Sequence, residues 1–118
     1  MKQVFPAKTV LTAFFLFVLA AMLWVTVTAS YDRSVLVAAG EIWADPWGKA
    51  TLFDAYFGFL TVFVWIYYRE SGALRLSAWF IALMLLGNFA IAFYFLLSLY
   101  RLKPEDSWHK LFEPVSRG

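Results

Sequence analysis

The sequence predicts an all-α integral membrane protein with three transmembrane helices, a short interfacial segment between helices one and two, and an amphipathic C-terminal tail. Three observations lead there. Hydrophobic residues make up 63% of the chain and charged residues 15%, where soluble domains hold roughly a half and a quarter. The charges leave long stretches empty: 9–31 and 76–100 carry none, and 50–68 carries Asp54 alone. Trp and Tyr gather at the ends of those stretches, where hydrocarbon would meet water. A helix rises about 1.5 Å per residue and the hydrocarbon layer is about 30 Å thick, so roughly 20 apolar residues cross it. A single domain over 1–118 is expected, with spans at about 9–30, 51–69 and 76–100.

Helix one is rich in Phe and Leu, and Tyr31-Asp32-Arg33 ends it. Lys2, Lys8 and Val27-Thr28-Ala29 have the outline of a signal peptide, but the apolar run exceeds the roughly 7–15 residues of a signal core and holds Trp24, so retention is expected. Segment 34–44 is apolar yet too short to span, and is expected to lie in the interface as a short helix. Asp45-Pro46-Trp47-Gly48 has the residue order of a β-turn. Thr51-Leu52-Phe53-Asp54 matches a capping box, which places the start of helix two at Thr51.

Arg69-Glu70-Ser71-Gly72 is a tight polar connection that makes helices two and three an antiparallel hairpin, and Arg101-Leu102-Lys103-Pro104 stops helix three. In the tail, 104–113, Pro104 suits a first helical position and Glu105 and Asp106 suit the positive helix start. Trp108, Leu111 and Phe112 share one face, which would rest on the membrane surface.

Three spans sort the aromatic residues into two belts. Trp65, Tyr67, Tyr68 and Trp79 flank the hairpin turn; Tyr31, Trp43, Trp47, Tyr100 and Trp108 fall on the opposite side. The same layout divides the basic residues nearly evenly, with Lys2, Lys8, Arg69 and Arg75 against Arg33, Lys49, Arg101, Lys103, Lys110 and Arg117. The positive-inside rule then leaves orientation open, with a slight lean to a cytoplasmic N-terminus.

Asp54 is the first site candidate, because carboxylates inside a span are costly and often functional. Its insertion cost of about 2.5–3.5 kcal/mol is offset by about 3–5 kcal/mol from the Leu, Ile, Val and Phe residues of helix two. Two readings stay open: a capping carboxylate in the headgroup region, or a buried polar or ligand site. Asn88, near the middle of helix three, is the second candidate, since a buried amide needs a partner. Hairpin geometry sets it level with Tyr56 and close in depth to Asp54. Asp54, Gly58, Thr61, Trp65 and Tyr68 form one face of helix two, expected to pack on Gly87 and Asn88, with the small Gly58 and Gly87 allowing close approach. Asp54 is thereby expected to face helix three, within reach of Asn88 or Tyr94.

Other chemistries find little support. A formal charge of +2 with no basic run argues against a nucleic-acid partner. The chain has no Cys and one His, His109, and lacks metal-ligand spacing, a phosphate loop or a nucleophile elbow. No metal, cofactor or catalytic residue is expected. Tyr56, Tyr94 and Asn88 could hydrogen-bond a quinone or carotenoid head, but lipid-facing helices have the same composition.

Segments 22–30 (MLWVTVTAS), 51–70 (TLFDAYFGFLTVFVWIYYRE) and 79–96 (WFIALMLLGNFAIAFYFL) resemble a family of small three-span membrane proteins of bacteria and plants, catalogued as a domain of unknown function. The resemblance covers most of 10–102, with Asp54, Gly58, Glu70, Gly87 and Asn88 at matching positions. It implies the three-span layout and no reaction. The sequence therefore points to a multi-pass membrane protein in the lipid bilayer: a non-enzymatic accessory or structural subunit of a membrane complex, or a homo-oligomer, contacting other membrane helices. The alternative is binding or transport of a small lipophilic or protonatable ligand at Asp54 and Asn88.

Overall fold

The computed structural model describes residues 4–103 and 105–115; Lys2, Pro104 and Arg117, used in the reading above, lie outside them. The fold is all-helical: α1 (Val4–Asp32), α2 (Val35–Ala44), α3 (Pro46–Arg69), α4 (Ala73–Leu86) and α5 (Asn88–Arg101), then a 3₁₀ turn at Trp108–Phe112. Two segments, Ala7–Asp32 and Pro46–Arg69, are helical, long and apolar enough to cross a membrane.

Local chemistry explains the first three elements. Ser34 caps α2 by accepting from the Val37 N–H, and α2 forms over the stretch expected to be a short helix. Asp45 ends α2 and begins α3, its carboxylate accepting from Gly48 N at 2.7 Å, with Pro46 in the first turn. A type I turn and the first turn of a helix have similar backbone angles, so the Asp-Pro-x-Gly order did not separate them. Helix α3 thus starts before Thr51. The capping box is not formed: Thr51 Oγ1 instead donates to the Trp47 carbonyl at 2.9 Å, an ordinary bond of a mid-helix Thr.

The largest departure lies in 76–100, read from sequence as one straight span. The segment is two 14-residue helices joined at Gly87, which has φ +54° and ψ −117°. That angle is open to glycine and strained for other residues. The helices fold back on each other: Trp79 meets Tyr94 edge-to-face at 4.8 Å between ring centres. Each is about 21 Å long, short of the roughly 30 Å a full span needs. The tip is seated on the middle of α3. A Cβ on Gly87 would lie 2.6 Å from the Phe59 ring, and the Tyr56 hydroxyl donates to the Met84 carbonyl at 2.9 Å, satisfying an acceptor that the broken helix leaves over.

The fold-back returns the end of α5 to the α3–α4 turn and to the start of α1. Phe15 stacks on Phe95 at 4.6 Å, and Lys8 Nζ donates to the Leu102 carbonyl at 2.7 Å. Tyr100 and Trp108 consequently lie at the same end as Trp65 and Tyr68, and the two expected aromatic belts are redistributed. The tail departs from expectation as well. Its turn is 3₁₀, capped by Ser107, and Leu111 is buried with Leu99 and Leu102, so this face packs on the helices while Phe112 stays exposed.

The hairpin depends on Gly87, so Gly87→Ala should destabilise the fold by about 1–3 kcal/mol. Phe59→Leu, which relieves the ring contact, should not restore it, because the strained backbone remains. Denaturant unfolding in mixed micelles followed by circular dichroism checks both; full rescue by Phe59→Leu would assign the cost to crowding alone.

Candidate functional site

The polar groups of this chain converge at the end where α1 starts, α3 ends and α5 returns. Arg69, the last residue of α3, is buried with 6% exposure, and so is its neighbour Glu70 with 5%. The Arg69 guanidinium donates to Ser98 Oγ at 2.6 Å, to the Tyr94 hydroxyl at 3.3 Å and to the Glu113 carbonyl at 3.2 Å. It also lies over the rings of Trp65 and Tyr94. The Tyr94 hydroxyl donates in turn to Glu70 Oε2 at 2.8 Å. Arg75 approaches the other Glu70 oxygen at 3.3 Å and Arg101 approaches Oε2 at 3.6 Å. A carboxylate out of water is tolerable only when paired and hydrogen-bonded. Here α4 supplies Arg75, and α5 supplies Tyr94 and Arg101.

The tail closes the arrangement. Val115 N donates to the Arg69 carbonyl at 2.7 Å, and Trp65 Nε1 donates to the Leu111 carbonyl at 2.9 Å. Among the described residues no buried side-chain nitrogen or oxygen lacks a hydrogen-bond partner. Between the tail and the helix ends lies an open cleft of about 550 Å³, lined by Arg69, Arg75, Ser98, Arg101, Lys103 and Lys110, together with Asp106 and apolar Leu102 and Val115.

The residues singled out from sequence are placed differently. Asp54 is exposed on the outer face of α3, as are Gly58 and Thr61. Of the face they were expected to share, Trp65 packs on α5, against Tyr94 and Phe95; a Cβ on Gly58 would meet nothing within 4 Å, and Thr61 bonds its own helix, at the Phe57 carbonyl. Asn88 is exposed at the hairpin tip, and among the described residues no hydrogen bond joins it to Asp54. Tyr56, level with that tip as expected, bonds Met84. Tyr94 is buried, but its partners are Arg69 and Glu70. Of the two glycines expected at helix contacts, Gly87 is buried in one and Gly58 is not. Among the described residues no group of His, Asp and Glu is gathered as a metal site.

Sequence reasoning missed Ser98 and Arg101 as partners of the Arg69–Glu70 pair. A signal existed in Gly87-Asn88, two poor helix formers in the middle of a span. A break there makes the two ends of 76–100 neighbours.

The chain matches, over residues 6–115, the family described as "Protein of unknown function (DUF1475)". It belongs to that family. No curated protein and no solved structure matches it. Of the positions singled out from sequence, Glu70 and Gly87 carry the contacts on which the hairpin depends.

Tyr94→Phe removes the hydroxyl that links Arg69 to Glu70 while keeping the ring against Trp65 and Trp79. The variant should lose about 1–3 kcal/mol of stability, read as a lowered unfolding midpoint in detergent with unchanged helical content.

Proposed function

We propose that the chain is a multi-pass membrane protein without catalytic activity of its own, which works by binding other membrane helices as a small subunit or as a homo-oligomer. The observation that carries this reading is the unfilled outer half of the helix bundle. Because α4 and α5 turn back at Gly87, they cover α1 only through its first half. Every residue from 23 to 37 is exposed, including Leu23, Trp24, Val25 and Leu36. On α3 the outward face carries Asp54, Gly58 and Thr61. In lipid, apolar residues gain little from one another, and helices associate through close packing at small residues and through polar contacts. A carboxylate facing hydrocarbon is costly, and a partner helix with a donor relieves that cost.

In this reading α1 and α3 span the bilayer, α4 and α5 form a hairpin that enters and leaves on one side, and α2 lies in the opposite interface. The arrangement alters the charge count. Lys8, Arg69, Arg75, Arg101, Lys103 and Lys110 share one end of the molecule, with Arg33 and Lys49 at the other. The positive-inside rule then favours a cytoplasmic location for the end holding the start of α1 and the tail.

The chain contains no Cys, so single introduced thiols report topology. Leu74→Cys and His109→Cys should be labelled from the same side by an impermeant reagent, and Gly40→Cys from the other. Labelling of His109→Cys together with Gly40→Cys would restore the three-span layout and overturn the hairpin.

Assembly is read after extraction into native lipid discs. With the mass of lipid and disc subtracted, the protein component should exceed the 13.6 kDa chain mass, as an oligomer or with other membrane proteins bound. Gly58→Leu and Asp54→Ala should reduce it to a monomer that retains its helical content. A monomeric parent with no bound protein would sink the proposal.

A further inference from the structure

The cleft at the polar end is strongly basic. Five cationic side chains, those of Arg69, Arg75, Arg101, Lys103 and Lys110, line it against one carboxylate, Asp106. Asp106 is already engaged, accepting from the Lys103 N–H at 2.9 Å. Glu70, behind the wall, is buried to 1% of its side chain and faces Arg75 and Arg101. One buried carboxylate shared by two guanidiniums leaves most of their donors unused, since each guanidinium carries five. Arg75 and Arg101 remain about half exposed, with side-chain exposures of 53% and 40%. Ion pairing among the described residues leaves Lys103 and Lys110 without a carboxylate. Like charges gathered around one concavity repel, and a bound anion of matching size relieves that repulsion.

We propose that this cleft binds a phosphate-bearing anion of headgroup size. Its volume of about 550 Å³ falls within the roughly 300–1,000 Å³ of small-molecule sites and exceeds what a lone inorganic ion needs. Guanidiniums form paired hydrogen bonds to phosphate oxygens, and ammonium groups add point charges. The arginines are held in place from behind: Glu70 orients Arg75 and Arg101, while Ser98 and Tyr94 orient Arg69. Leu102 and Val115 add an apolar margin to the charged floor, as suits an ester of phosphate. The same chemistry is offered by a phospholipid headgroup and by a soluble phosphate ester.

The test is calorimetric titration of the full chain in a non-ionic detergent at low salt. The probes are dihexanoyl phosphatidic acid, dihexanoyl phosphatidylcholine, glycerol 3-phosphate and inorganic phosphate. Saturable one-to-one binding of phosphatidic acid, with phosphatidylcholine weaker, supports the site. Glycerol 3-phosphate binding as tightly as the lipid identifies a soluble ester, and much weaker binding identifies a headgroup. Lys103→Gln and Lys110→Gln alter exposed cleft residues and should each weaken binding by about tenfold, as expected for loss of one charge-assisted hydrogen bond. Lys49→Gln, at the other end of the molecule, should leave binding unchanged. No saturable binding of any phosphate ester would overturn the proposal. So would tighter binding of inorganic phosphate than of either ester, or equal binding by the Lys103→Gln, Lys110→Gln and parent proteins.

Discussion

The burial of Glu70 is the constraint on which the rest of this structure depends. A carboxylate removed from water needs hydrogen bonds and positive charge around it, and no single helix here supplies both. Tyr94 and Arg101 come from α5, and Arg75 from α4. For α5 to reach Glu70 it must run back toward the end of α3, which a straight helix over 76–100 cannot do. Gly87 therefore breaks the helix, and Phe59 and Tyr56 on α3 receive the tip of the resulting hairpin. Arg69 extends the same logic to the tail, because its guanidinium and its carbonyl both bond backbone groups of 113–115. The turn, the hairpin and the tail are held by one connected set of polar contacts.

That arrangement has a cost in coverage. A hairpin of two helices about 21 Å long fills only part of the depth that α1 and α3 extend through. Near the polar end α1 finds Phe95, Leu99 and Leu102 to pack on. Farther along, residues 23–32 are all exposed, with only the start of α2 near its last turns among the described residues. The surface left over is apolar, with Asp54, Gly58 and Thr61 set into it on α3. Association with further helices, proposed above, would give that surface the packing that the chain itself withholds.

Folding back also concentrates charge. Arg69, Arg75, Arg101, Lys103 and Lys110 belong to three separate segments of sequence, and a straight third helix would send them to opposite ends. Brought together around Glu70, they form the basic cleft. Glu70 thus holds the hairpin closed and also sets the position of the guanidiniums that face the cleft. The buried polar contacts around Glu70 and the basic lining of the cleft are two sides of one structural element.

Much of this was legible in sequence because it is local. Apolar length marks α1 and α3, the short apolar stretch 34–44 marks α2, and Arg69-Glu70-Ser71-Gly72 marks the turn into α4. These features lie within one continuous stretch of chain, where composition and spacing carry the physics. Other local signs misled. Thr51 and Asp54 spell a capping box inside a helix that Asp45 and Pro46 had already begun. Gly87 was read as a contact residue because glycine inside a membrane helix serves close packing as readily as a break. The choice between those roles rests on whether Tyr94, Ser98 and Arg101 gain more at Glu70 and Arg69 than a straight helix gains from continuity. That balance joins residues about 25 to 30 positions apart, and periodicity along the chain does not contain it. Composition by itself determined where the apolar helical stretches lie; the tertiary structure alone decided that 76–100 breaks at Gly87 and which ends meet, because a buried charge is stabilised by neighbours in space rather than in sequence.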